Sequence, residues 1–196
     1  MTGSFTSAGI LWACLSVTAA LLSCSGFYLP YWIQGSLLGK VDASFSTFRR
    51  CNYPHLTPQG SVEIVIQCAR YSSFKDIPSP WWQISTVFVA SGSALSLIVA
   101  VVIVAACCMA SVIHRRTARV AGVVQLLSAL LICGGVGVYP LGWDNKEVRD
   151  CCGKGADIYR LGTCQLSWSL YLLVGAVVLL FISFCLSFCG ARVKPG

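Results

Sequence analysis

Twelve cysteines and two histidines hold most of the reactive chemistry of this chain. A thiol can close a disulfide, ligate zinc, carry an acyl chain or act as a nucleophile, and its surroundings decide which. Cys51, Cys68, Cys151, Cys152 and Cys164 lie in or beside charged connectors, whereas the other seven lie in uncharged stretches. A nucleophile also needs a base. His55 and His114 fall on opposite sides of a long apolar run, and the seven acids form no spaced pair. No Gly-rich phosphate loop is present. The chain therefore reads as non-enzymatic and without a cofactor. Zinc is disfavoured too, because paired His/Cys ligands at short spacing are missing and His55 stands alone.

The elements that position these residues are set by charge. Met1–Gly39, Trp81–Ile113, Val120–Trp143 and Leu161–Ala191 contain no Asp, Glu, Lys or Arg. About 20 apolar helical residues cross a bilayer core of about 30 Å, so each stretch can span. Only 11% of the 196 residues are charged and 56% are hydrophobic, which does not suit a soluble domain. The reading is an all-α membrane protein made of one tetraspan domain, residues 1–196. Its spans fall at about 10–29, 84–113, 120–139 and 166–189. Two outer loops, 30–81 and 140–163, and a short cytoplasmic loop, 114–119, connect them. Pro30 and Pro140 end spans 1 and 3, since proline cannot continue the backbone ladder. A cleaved signal is disfavoured for span 1, because no Lys or Arg precedes a run longer than a signal core.

Arg115, Arg116 and Arg119 crowd the shortest connector. It and the tail carry five bases and no acid, while the long loops mix nine bases with seven acids. The positive-inside rule then places both termini in the cytoplasm. The net charge of +7 is scattered rather than drawn into a basic stripe, so it points to membrane lipids and not to nucleic acid. Trp32, Trp81, Trp82, Trp143 and Trp168 cluster at the outer boundary and read as an interfacial belt.

With the long loops outside, in an oxidising space, Cys51 and Cys68 are the one pair available in the first loop. Bridging them contributes about 3 kcal/mol in the chain-entropy picture. In the second loop Cys164 can pair with Cys151 or Cys152, and spacing does not choose. Cys189 reads as either an acylation site or a small apolar span residue; Cys107, Cys108 and Cys185 lean towards the latter. Cys14, Cys24 and Cys133 read as packing residues. Ala121, Gln125, Ala129, Cys133 and Gly137 recur every four residues and form a candidate ridge for close helix packing. Gln125 reads as a hydrogen-bonding partner of a neighbouring span. No span contains Asp, Glu, Lys, Arg or His, which disfavours transport. In the first loop, Phe45–Tyr53 and Val62–Ala69 have strand character, with turns at Asn52–Pro54 and Thr57–Gly60. The edge of such a sheet is a natural partner surface. Asn52 and Asn145 are not glycosylation acceptors.

Several segments resemble the lipoma HMGIC fusion partner-like tetraspan family. They are Phe27-Tyr-Leu-Pro-Tyr-Trp-Ile-Gln-Gly-Ser36, Phe48-Arg-Arg-Cys-Asn-Tyr-Pro54, Ala69-Arg-Tyr-Ser-Ser-Phe-Lys-Asp-Ile-Pro78, and Arg119-Val-Ala-Gly122 leading to Tyr139-Pro-Leu-Gly-Trp-Asp-Asn-Lys-Glu-Val-Arg-Asp-Cys-Cys-Gly153. Within that family the chain looks closer to the founding member than to the mechanosensory one. The resemblance, which extends to claudins, implies a left-handed four-helix bundle capped by an extracellular antiparallel sheet of about five strands, one from the second loop. It implies that Trp32, Cys51 and Cys68 form the superfamily's signature. It also implies a Cys152–Cys164 bridge with Cys151 unbridged. Functionally it implies an auxiliary or scaffolding subunit of a plasma-membrane ion channel or receptor. The partner subunits would be met through the spans and the sheet, and a homo-oligomer is a further expectation. The alternative is a claudin-like adhesion or barrier protein; a channel in its own right is a third reading. The claudin Gly-Leu-Trp element is absent, with Phe45-Ser-Thr-Phe48 in its place, and the tail ends Lys-Pro-Gly. Both departures weigh against the barrier reading.

Overall fold

The computed structural model describes residues 7–37, 41–56, 62–108 and 115–189. Helix α1 (Ser7–Tyr28) leads into strands β1 (Ile33–Leu37), β2 (Val41–Phe45), β3 (Arg49–Leu56) and β4 (Val62–Arg70). Helices α2 (Pro80–Cys108) and α3 (Arg115–Val138) follow, then a short α4 (Lys146–Cys152), a small hairpin β5 (Ala156–Asp157) and β6 (Arg160–Leu161), strand β7 (Gln165–Leu166) and helix α5 (Trp168–Cys189). Helices α1, α2, α3 and α5 are each long and apolar enough to cross a membrane.

Local chemistry explains where these helices begin and stop. Pro80 opens α2, where its missing N–H costs nothing, and the Ser79 hydroxyl accepts the Trp81 N–H at 3.3 Å as a cap. The second span thus starts at Pro80, ahead of the expected Ile84. Arg115 already lies in α3, so the expected loop over 114–119 is largely the first turns of a helix; His114 lies outside the described residues. Pro140 turns the end of α3 into a single 3-10 turn over Tyr139–Gly142. The fourth span starts at Trp168 because Gln165 and Leu166 are drawn into the sheet.

Helix α1 packs against α2 and α5, and α3 packs against the same two, which leaves α1 and α3 diagonal. The buried faces are rich in small hydroxyl side chains: Ser16, Ser23, Ser85, Ser93, Ser128 and Ser187 are all inside. Many leucines, valines and isoleucines point outward, while Val89, Ile132, Leu173 and Leu180 pack inside beside the serines. This mixture follows from the solvent. Lipid is as apolar as leucine, so helix association rests on close contact and interhelical hydrogen bonds. Ser128 donates to the Gly92 carbonyl at 2.6 Å and Ser85 to that of Gly135 at 2.7 Å. Both glycines let α2 and α3 touch: a Cβ on Gly92 would lie 2.7 Å from Ile132 Cγ1, and one on Gly135 2.5 Å from Val89 Cγ2.

The antiparallel sheet runs β4-β3-β2-β1-β7, so its last strand comes from the second loop. The expected single strand over Phe45–Tyr53 is instead a hairpin corner. Ser46 N–H donates to the Arg49 carbonyl at 2.8 Å, and the chain reverses between β2 and β3. Aromatic and hydroxyl residues favour strands on both sides of such a corner, so composition alone does not locate it. The expected turn at Asn52–Pro54 is a bulge inside β3. Asn52 has φ 56°, and the register with β4 shifts between Cys51 and Tyr53. The expected turn at 57–60 lies outside the described residues.

Candidate functional site

The sheet is fastened to the bundle by aromatic side chains. Trp32 is completely buried, donates its indole N–H to the Gly26 carbonyl at 2.8 Å, and meets Tyr139 edge-on at 4.9 Å. Tyr139 stacks on Trp82 at 5.2 Å and meets Trp143 at 6.0 Å. Trp32, Trp82 and Trp143 are therefore a plug closing the sheet end of the bundle. They correct the expected five-membered belt, of which only Trp81 (43% exposed) and Trp168 (51%) face outward. Neighbouring helical residues point about 100° apart, so Trp81 and Trp82 share a depth but not a direction. Depth was legible in the sequence; phase was not.

Two adjacent arginines brace the cap in opposite directions. Arg49 donates to the Tyr28 carbonyl at 3.2 Å, satisfying a free carbonyl at the end of α1, and lies 4.3 Å over the Tyr28 ring. Arg50 forms a salt bridge with Glu147 on α4. Its guanidinium is held 4.1 Å from the Tyr53 ring and 4.8 Å from that of Tyr71. Tyr71 donates its hydroxyl to the other Glu147 oxygen at 2.5 Å. Burial first, then the charge of Glu147 and the hydrogen bond to it, push the Tyr71 phenol far above its ordinary range, and Arg50 only partly offsets this. The phenol stays a donor at any working pH. In the sequence Glu147 is one of seven acids that form no spaced pair. Its partners lie 97 and 76 residues away, and no local pattern marks them.

Cys51 bridges Cys68, joining β3 to β4 at directly paired positions. Cys152 bridges Cys164, and Cys151 is a buried free thiol beside them. Burial raises the Cys151 thiol to about 11. Cys14, Cys133 and Cys185 are exposed free thiols within the spans and Cys24 is half-buried, so the packing reading does not hold for Cys14 and Cys133. The side chains of Cys107, Cys108 and Cys189 lie outside the described residues, as does that of His55.

The five-residue ridge on α3 does not form one surface. Gln125 (1% exposed) and Ala129 are buried, Ala121 is half-buried, and Cys133 and Gly137 are exposed. A spacing of four advances about 40° per step, or about 160° from Ala121 to Gly137. The row therefore winds from the interior to the lipid face. Gln125 reaches across the diagonal, donating to Ser16 Oγ at 2.7 Å and accepting the Trp12 indole N–H at 3.3 Å. It is an internal tie between α1 and α3. Gly137 has nothing within 4 Å of where a Cβ would sit.

Two of the exposed surfaces among the described residues suit other chains. Strand β4 pairs only with β3, so its outer edge has no strand beside it among the described residues, and Ile66 on it is 77% exposed. The second is the α3 face of Leu130, Cys133 and Gly137.

Four membrane-crossing helices under a disulfide-bridged antiparallel cap define a tetraspan integral membrane protein. The chain belongs to the family described as Lipoma HMGIC fusion partner-like protein, which it matches over residues 8–189. It is similar to LHFPL tetraspan subfamily member 2a protein of Danio rerio, 29% identical over 194 residues, covering 90% of this chain and 84% of the relative. The human LHFPL tetraspan subfamily member 2 protein is 35% identical over 116 residues, 59% of this chain and 51% of the relative. The mouse LHFPL tetraspan subfamily member 4 protein is 28% identical over 186 residues, 91% and 71% respectively.

Proposed function

We propose that this protein is a non-enzymatic auxiliary or scaffolding subunit of a plasma-membrane ion channel or receptor complex, with both termini cytoplasmic. The observation that carries the reading is how the molecule uses its own surfaces. The bundle interior is filled by its own aliphatic side chains, serines and Gln125, and one end is closed by Trp32, Trp82 and Tyr139, all at most 1% exposed. No Asp, Glu, Lys, Arg or His lies between Val120 and Trp143 or in the other apolar cores, so no polar path supports transport. The β4 edge and the outward face of α3 are left for other chains. Strand addition suits the first surface, and close helix packing suits the second. The orientation rests on Arg115, Arg116 and Arg119 lying at the end of the bundle opposite the sheet.

The test is purification from native membrane in a mild detergent followed by mass spectrometry. A stoichiometric channel or receptor subunit is the expected companion. The protein expressed alone should give neither a membrane current nor strands at cell contacts. Current alone would move the reading to a channel. Contact strands alone would move it to adhesion.

A further inference from the structure

Three sulfurs converge beneath β1. The Sγ atoms of Cys151, Cys152 and Cys164 all lie within 4.8 Å of one another, and all three residues are buried. Gly35 on β1 makes the convergence possible. A Cβ there would sit 2.1 Å from Cys164 Sγ and 3.1 Å from Cys151 Sγ, so any side chain would expel one of them. The bridged Cys164 and the unbridged Cys151 thus share one wall, with no side chain between them and it. The second loop holds a disulfide and, within reach of it, an unbridged thiol packed in the core.

We propose that Cys151 is a built-in exchange partner of this disulfide, so that Cys164 can be bridged to either of two adjacent cysteines. Cys151, as thiolate, attacks Cys164 Sγ. The Cys151–Cys164 bond forms as the Cys152–Cys164 bond breaks, and its electron pair leaves on Cys152 Sγ. That sulfur then takes up a proton equivalent to the one Cys151 released. Nothing is oxidised or reduced overall, and no co-reactant is consumed. In the resting fold Cys151 is 3% exposed and its raised pKa keeps it a protonated, unreactive thiol, so exchange waits on an opening of α4.

The exchange has a structural consequence. Residues 151 and 152 point about 100° apart on α4. Re-pairing turns that short helix relative to β1 and moves Glu147, one turn before Cys151, away from Arg50 and Tyr71. The state of the bridge is thereby coupled to the hold of α4 on the sheet.

The test uses the full chain in cell membranes, quenched with N-ethylmaleimide and mapped without reduction. In Cys152→Ser, most molecules should contain a Cys151–Cys164 peptide. In Cys151→Ser the Cys152–Cys164 peptide should be unchanged. In the double variant Cys164 should be fully alkylated. Mapping total protein keeps the result readable if a variant is retained inside the cell. Recovery of Cys164 as a free, alkylated thiol in Cys152→Ser would overturn the proposal. In the unaltered protein, incubation in a glutathione redox buffer should produce a second species with Cys152 alkylated and Cys151 joined to Cys164. A bridge that stays wholly Cys152–Cys164, or is only lost, would also overturn it.

Discussion

Gly135 and Gly137 are two residues apart on α3, and replacing them should have opposite outcomes. A Cβ on Gly135 would lie 2.5 Å from Val89 Cγ2, 3.1 Å from Phe88 Cβ and 3.1 Å from the Ser85 carbonyl oxygen. Carbon atoms rest at about 3.5–4.0 Å, so α3 must retreat from α2 by about 1 Å. That also stretches the 2.7 Å hydrogen bond from Ser85 to the Gly135 carbonyl. Overpacking costs about 1–3 kcal/mol, and an interhelical hydrogen bond in a bilayer is worth about 0.6 kcal/mol. The helix-propensity gain of Gly→Ala, up to about 1 kcal/mol, works against both. Gly135→Ala should therefore be destabilised by about 1–2 kcal/mol, roughly a 2–8 °C drop in Tm at this chain length. A Cβ on Gly137 would meet nothing within 4 Å. Gly137→Ala should be unchanged or slightly more stable, and even Gly137→Leu should reach the cell surface. Thermal unfolding of detergent-solubilised protein, followed by size-exclusion chromatography, gives the first number; surface biotinylation gives the second. If Gly137→Leu loses as much stability as Gly135→Ala, the helical phase assigned to α3 is wrong. If Gly137→Leu reaches the surface but sheds its companion subunit, the open face of α3 is a docking face. Normal delivery with an intact complex leaves the β4 edge as the recognition surface.

Gln125→Leu removes the tie between α1 and α3 and should cost about 1–2 kcal/mol, read by thermal unfolding. Paired with Ser16→Ala in a double-mutant cycle it should show clear coupling, and strict additivity would refute the bond. Glu147→Gln should loosen α4 from the sheet at a cost of about 1–2 kcal/mol, visible as faster hydrogen exchange in residues 146–152; unchanged exchange there would refute the clamp. Cys51→Ser should trap the protein inside the cell, because the small sheet has little core of its own, and wild-type surface levels would count against this. Epitope tags at either terminus should be invisible to antibody on intact cells; staining of an N-terminal tag would reverse the orientation.

The number of spans, their approximate limits and the basic end of the bundle were legible in the sequence. The cost of placing a segment in lipid is close to a sum over its own residues, so an uncharged stretch declares itself without reference to its neighbours. The Cys51–Cys68 pair was legible for a related reason: its loop offers no other choice. Family motifs added the five-stranded cap and the contribution of the second loop to it, which no local propensity marks in a two-residue strand such as β7.

Tertiary structure alone decided what faces what. It turned Trp32, Trp82 and Trp143 inward while Trp81 and Trp168 face out, and it split the Ala121–Gly137 row between the core and the exposed face. A pattern of four against a period of 3.6 drifts, and only packed neighbours fix where the drift begins. It also brought Arg50 to Glu147 across 97 residues. Between the adjacent Cys151 and Cys152 spacing did not choose; the family resemblance implied Cys152, and with α4 packed against β1 it is Cys152 that is joined to Cys164. These outcomes depend on angles and distances between elements remote in the chain, which composition and spacing do not encode.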